Sequence, residues 1–255
     1  MKVYNMRYIL FIFCASIFNI GFGQQKFIQS GKITYERKLG QLTLMESMQQ
    51  GEENMFMEEF KKVFPRVITD SYVLDFNSQA SVYKLEKENT DNKYLMSNFK
   101  PMDDSYIIQN FSDSTTTKRM SVFENKYLMK DSLTKYQWKL TGEVRQFAGF
   151  ECKKAVTKIC DSVVVVAFYT DEILVKGGPE SFNGLPGMIM GIAVPRLSLT
   201  LFATKIELNN AGVPLTFPIE KKPNYVRRKG VMGEIEKGIK QWGKEGSLVQ
   251  WIVAM

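Results

Sequence analysis

Apolar and polar positions alternate with period two along most of the chain beyond residue 30. "GKITYERK" (31–38) sets Ile33 and Tyr35 on one face, "SYVLDF" (71–76) sets Tyr72, Leu74 and Phe76, and "ASVYKLEK" (80–87) sets Tyr83 and Leu85. Asn77-Ser78, between the last two runs, reads as a hairpin turn. "SVFENKYLMK" (121–130) turns at Glu124-Asn125. Tyr136, Trp138 and Leu140 alternate ahead of a turn at Thr141-Gly142, and Gly149 in the strand that follows reads as a bulge. "SVVVVAFYT" (162–170) is a continuous apolar run, the pattern of a strand covered on both faces. "RLSLTLFATKIEL" (196–208) alternates Leu197, Leu199 and Leu201.

Two stretches switch to helical spacing. Residues 44–64 place Phe56, Phe60, Val63 and Phe64 on one helix face, with Gly51 as its weak point, and 231–244 place Val231, Met232, Ile235, Ile239 and Trp242 together. "SLVQWIVAM" closes the sequence as an apolar tail, either docked on the sheet or held ready for a partner. Residues 86–118 are polar and poor in strand formers, which predicts a long surface loop or flap. Many hairpin-linked strands with few helices predict a mainly β fold: a single curved antiparallel sheet or half-open barrel with one or two accessory helices.

"ESFNGLPGMIMGIAVPR" (180–196) interrupts this regularity. Pro186 fixes φ and Gly187 tolerates φ > 0, so Leu185-Pro186-Gly187-Met188 fits a type II turn launching the buried strand "MIMGIAV". Gly191 within that strand predicts a bulge or a close backbone approach. The residues Gly178, Gly184, Leu185, Pro186 and Gly187 are candidates either for a structural crossover or for contact with a ligand or partner.

The first 23 residues carry Lys2 and Arg7, an apolar run to Phe22 and small residues at Gly21 and Gly23. That is the pattern of a secretory signal peptide cleaved after about Gly23, leaving 24–255 as a single mainly β domain that ends in the helix and apolar tail of 231–255. The expected location is periplasmic or extracellular. No run is long enough for a membrane-spanning helix. The net charge of +7, or about +5 without the segment's two basic residues, does not approach a nucleic-acid footprint. Lys221, Lys222, Arg227, Arg228 and Lys229 form the one basic cluster, a solvated surface or a partner rim. The chain has no histidine, which excludes Ser-His-Asp and Cys-His hydrolases and histidine-ligated zinc.

Cys152 and Cys160 follow the signal segment. An oxidising compartment favours their pairing. One continuous strand would set them about 26 Å apart, against the ~7 Å a disulfide needs, and "KKAVTK" between them holds no turn residue. The alternatives are a disulfide or two free thiols. Met45, Met48, Met55 and Met57 fit soft Cu(I) ligation or, more simply, the buried face of a helix. The adjacent pairs Glu52-Glu53, Glu58-Glu59 and Asp103-Asp104 read as solvated faces, and no phosphate loop, dinucleotide fingerprint, nucleophile elbow or calcium loop occurs. No cofactor or metal is expected.

"FECKK" (150–154), "AFYTDEI" (167–173) and "GPESFNGLPGMIM" (178–190) together resemble the GLPGLI family of exported bacterial proteins. Phe168, Leu174, Met188 and Met190 depart mildly from that family's pattern. The resemblance implies an exported protein without established activity, whose strands look like the curved sheets of periplasmic lipoprotein carriers. On it rests the expectation of a non-enzymatic binding protein holding a lipid, acyl chain or peptide on the concave face of the sheet. The alternatives are a partner module of an outer-membrane or secretion complex, a Cu(I) binder, and a histidine-free enzyme centred on Tyr169, Asp171 and Glu172.

Overall fold

The structure is a computed structural model that describes residues 28–48, 55–88, 104–122, 125–208, 215–221, 223–240 and 243–255. Among the described residues twelve strands form one sheet: β1 (Gly31–Leu39), β2 (Ile68–Phe76), β3 (Ala80–Lys87), β4 (Tyr106–Asn110), β5 (Thr115–Val122), β6 (Asn125–Ser132), β7 (Lys139–Phe147), β8 (Phe150–Ile159), β9 (Val163–Thr170), β10 (Met188–Val194), β11 (Leu199–Leu208) and β12 (Tyr225–Val226). The helices are α1 (Gln41–Met48), α2 (Met55–Val63), α3 (Arg228–Ile239) and α4 (Gly243–Ala254).

The strand order is β12-β6-β5-β4-β3-β2-β1-β11-β10-β9-β8-β7. Strands β1 to β6 meander towards one edge and β7 to β11 meander back from the other, so that β11 closes against β1. Neighbours are antiparallel except β12, which runs parallel to β6. This connectivity dictates curvature. Strands β6 and β7 lie ten positions apart in the sheet, about 48 Å if it were flat. Residues 133–138 join them, a connection whose reach is at most ~25 Å. The sheet must bend until its two flanks approach each other. It is the curved, mainly β architecture that the alternation predicts.

The inner face of the bend is the core. Ile33, Tyr35 and Leu39 of β1, Leu74 and Phe76 of β2, Val163 and Val165 of β9, and Leu199 and Leu201 of β11 are all buried there. The Tyr35 hydroxyl donates to the Ile189 carbonyl at 2.6 Å, tying β1 to β10 across the interior. Helices α3 and α4 cover part of this face. Leu248, Trp251 and Met255 enter the main core, while Val249 and Val253 join Val231, Ile235 and Ile239 of α3 with Met120 and Val122 of β5 in a second cluster. The Arg196 guanidinium lies 4.4 Å from the Trp251 ring centroid. The closing apolar residues are therefore a docked helix. No helix of the described residues is long and apolar enough to cross a membrane.

Several local expectations change. Residues 86–118 include β4 and the start of β5, both with buried inner faces, while 89–103 lie outside the described residues. The helix read over 44–64 is helical at 44–48 and 55–63; residues 49–54 between, with Gly51, and the side chains of Phe56 and Phe60 lie outside the described residues. The second helix starts at Arg228 and ends at Ile239, and Trp242 lies outside. Turn and bulge around β7 are exchanged. Ala148 (φ 46°) and Gly149 (φ 87°) make the β7–β8 hairpin turn, because glycine and a small residue accept left-handed backbone there. The register shift falls between Leu140 and Val144, at the expected turn. The apolar run of β9 is covered on both faces only in its second half, and Val164 is exposed.

Cys152 and Cys160 are both free thiols. One unbroken strand, β8, separates them, and Cys152 faces the core while Cys160 sits exposed in the following turn. Burial pushes the Cys152 thiol up to about 12. In a thiol titration of the native protein at pH 8, Cys160 should react and Cys152 only after denaturation. Equal reactivity in the native state would contradict this placement.

Candidate functional site

Most of the inner face is apolar, and the exceptions collect on one flank. Period-two alternation in β1, β2 and β5 turns Arg37, Asp70 and Lys118 inward, where all three are buried. Arg37 Nη1 meets Asp70 Oδ2 at 3.0 Å, with the aspartate side chain fully shielded. Beside this pair Tyr72 and Tyr83 stack at 5.0 Å with nearly parallel rings. Ser81, Gln109 and Thr116 stand in register on β3, β4 and β5, and one step along the strands stand Tyr83, Ile107 and Lys118. Ser81 Oγ, Tyr83 Oη, Gln109 Oε1 and Thr116 Oγ1 are buried with no hydrogen-bond partner among the described residues.

Arg37, Tyr72, Tyr83 and Lys118 border the first of two openings. The first is a cavity of about 130 Å³ between the sheet and α4, lined by Arg37, Tyr83, Lys118 and Glu180 against Leu199 and Val253. Burial lowers the Lys118 ammonium from its ordinary value, with Arg228 acting in the same direction and Glu180 against it. The second is an open groove of about 1440 Å³ at the opposite end of β4–β6, lined among others by Asp131, Tyr136, Gly184, Tyr225, Arg227 and Arg228. Burial pushes the Asp131 carboxyl up. Hydrogen bonds from the backbone amides of Arg228 and Ser132, together with the charges of Arg228 and Arg227, outweigh that and hold it below the usual range. The Arg228 amide donates to Asp131 Oδ2 at 3.0 Å and its guanidinium to Thr134 Oγ1, fastening the start of α3 to the connection that crosses the bend.

The groove unites two sets of residues singled out by sequence. Gly184, from the turn-rich stretch, and Arg227 and Arg228, from the basic cluster, line it together. Lys221 is exposed and does not line it, and Lys222 lies outside the described residues. Pro186 is exposed, whereas Gly178, Leu185 and Gly187 are buried and present nothing to solvent. The type II turn is absent. Gly184, not Gly187, has positive φ (87°), and the Met188 amide that would close the turn donates instead to the Ile173 carbonyl at 3.0 Å. The glycines serve packing. A Cβ on Gly178 would lie 2.6 Å from Ile189 Cβ, one on Gly187 2.0 Å from the Thr170 carbonyl oxygen, and one on Gly191 2.9 Å from the Phe202 ring. The Trp138 indole donates to the Asn183 carbonyl at 2.9 Å, so the connection between β6 and β7 bolts this segment down.

Tyr169, Asp171 and Glu172 do not converge: Tyr169 is buried, the other two are exposed, and Asp171 is paired with Lys153. Among the described residues no group of His, Cys, Asp and Glu has the arrangement of a metal site. The side chains of Met48, Met55 and Met57 lie outside those residues. Sequence reasoning passed over Arg37, Asp70, Lys118 and Glu180. The signal was present for the first three, since each occupies an inward position of an alternating strand.

A family profile described as "N-glycanase peptide, N-terminal domain" matches residues 73–216. Among solved structures, one crystal form of PNGF-II superposes with TM-score 0.51 at 20% identity, over 82% of this chain and 34% of that one. A second form gives TM-score 0.47 at 19% identity, over 81% and 32%. An uncharacterized conserved protein from Thermus thermophilus gives 0.35 at 9%, over 77% and 91%. No curated protein matches the chain. The likeness at TM-score 0.51 is one of fold, and the chain spans about a third of the length of PNGF-II.

These findings correct the family read from sequence. The segments that resembled the GLPGLI family, 150–154, 167–173 and 178–190, all fall within the matched range, and close packing accounts for Gly178 and Gly187 there. The family match overturns the expectation of a non-enzymatic lipid, acyl-chain or peptide carrier and its alternative, a module for an outer-membrane or secretion complex; the latter rested on the basic cluster 221–229 and the apolar tail, and the tail is packed into the core as α4. The profile covers more than half of the 255 residues, and the chain belongs to the N-glycanase peptide N-terminal domain family.

Proposed function

We propose that this protein acts on N-glycosylated polypeptides as an N-glycanase-type protein, with the open groove at Gly184, Arg227 and Arg228 as the surface that receives the glycosylated segment. The family match over 73–216 carries this reading. The groove supports it chemically. Tyr136 and Tyr225 offer aromatic surface to sugar rings, and Asp131, Thr134 and Arg228 offer both acceptors and donors to hydroxyl and amide groups. The groove is open and large enough for an extended ligand, unlike the small cavity beside α4. Export through the N-terminal segment belongs to the same proposal, since it would bring the protein to glycoproteins outside the cell.

The test is a calorimetric titration of the full chain with an N-glycosylated peptide and with the same peptide carrying unmodified asparagine. The glycosylated form should bind at least about tenfold more tightly. Equal affinities would overturn the reading.

A further inference from the structure

The buried charges of the smaller cavity have a use that the fold does not supply. Lys118 is only 7% exposed, and among the described residues its ammonium has no hydrogen-bond or ion-pair partner. A lysine buried in this way opposes folding, because desolvation penalises the charge and no hydrogen bond offsets it. An apolar residue of the same length would serve the core better. The Tyr83 hydroxyl, also unpartnered and buried, borders the same cavity. Glu180 faces it from the segment before β10, in a left-handed conformation (φ 54°) that a non-glycine residue adopts at a cost.

Charge decides what fits. Arg37 and Asp70 neutralise each other. Arg119, which also lines the cavity, is paired with Asp104 and Glu220. Lys118 is then the interior cation without an ion pair among the described residues, facing the anion Glu180, with Lys84 exposed at the rim. An anionic ligand would be attracted by Lys118 and repelled by Glu180, and a cation the reverse. A hydroxyl group suits both, accepting from the ammonium and donating to the carboxylate, and it can pair with Tyr83 in either sense. An aliphatic part of the wall, from Leu39, Leu197, Leu199 and Val253, matches the C–H face of a sugar ring.

We propose that Lys118, Tyr83 and Glu180 form a subsite for the hydroxyl groups of one sugar residue, separate from the open groove. This rests on the reading that the protein acts on N-glycans.

The test is an NMR titration of the full chain with N,N′-diacetylchitobiose, repeated on Lys118→Met and Tyr83→Phe, with thermal unfolding of each. Binding to the wild type should perturb residues 118–122 and 249–253. Lys118→Met should weaken binding about tenfold while leaving the unfolding temperature unchanged or raised. Tyr83→Phe, which removes only the hydroxyl, should weaken binding severalfold without loss of stability. Unchanged binding in both variants, or lowered stability in both, would assign these groups to the fold and overturn the proposal. A protein that binds the glycosylated peptide but not the free disaccharide would overturn the subsite alone. Failure to bind either would overturn the broader reading as well.

Discussion

Gly187→Ala is expected to cost at least ~3 kcal/mol of stability, seen as a large drop in the urea midpoint or loss of a cooperative transition. The added Cβ would sit 2.0 Å from the Thr170 carbonyl oxygen, with the Thr170 carbonyl carbon at 2.8 Å and Asp171 Cα at 3.0 Å. All three obstacles are backbone, so no side-chain rotation relieves them. Relief would require moving the end of β9 away from the start of β10, where the Met188 amide also donates to Ile173. Gly142→Ala is the control. Its Cβ would meet nothing within 4 Å, and the change should fall within about 0.5 kcal/mol of the wild type. A loss at Gly187 no larger than at Gly142 would mean that close packing does not set the cost, because the lower unfolded-chain entropy of alanine favours folding at both positions.

Asp70→Ala is expected to cost about 3 kcal/mol, the lower end of the range for breaking a buried ion pair. The Asp70 side chain is fully shielded and that of Arg37 only 10% exposed, so removing the carboxylate takes away the adjacent counter-charge of a guanidinium with little water. Glu180 also acts on Arg37, which keeps the loss from being larger. The double replacement Arg37→Met with Asp70→Leu should recover most of the loss, because an apolar pair of similar volume no longer has charges to desolvate. Both are read from urea unfolding curves. A double variant as unstable as Asp70→Ala would show that the pair contributes through its geometry rather than as two mutually compensated charges.

The strands that sequence reveals and those it conceals differ in what they turn inward. In β1, β2, β3 and β11 the inward positions are Ile33, Tyr35, Leu74, Tyr83, Leu199 and Leu201, and period two is plain. In β4 and β5 they include Gln109, Thr116 and Lys118, so a buried face reads as a polar loop. One of the residues that hide these strands, Lys118, lines the smaller cavity, and sites of this kind are where local sequence rules are expected to fail. The exchanged turn and bulge around β7 have a different cause. Thr141-Gly142 and Ala148-Gly149 are similar small-residue dipeptides, and only the pairing of β7 with β8, fixed by Phe147 opposite Phe150, selects the second as the turn. The groove was half legible: Gly184, Arg227 and Arg228 stand out singly in the sequence, but their meeting depends on the bend that brings the start of α3 beside the segment leading into β10. Glu180 carried no signal, since neither its turn nor the cavity it faces is visible without the sheet.

The central claim is that an N-glycosylated segment is received in the groove beside Gly184. Hydrogen exchange of the full chain, with and without an N-glycosylated peptide, tests it most directly. The expected result is slowed exchange at residues 131–136, 183–184 and 225–229 with the glycosylated peptide and not with its unmodified counterpart. Unaltered exchange in all three segments, or the same slowing with both peptides, would contradict it.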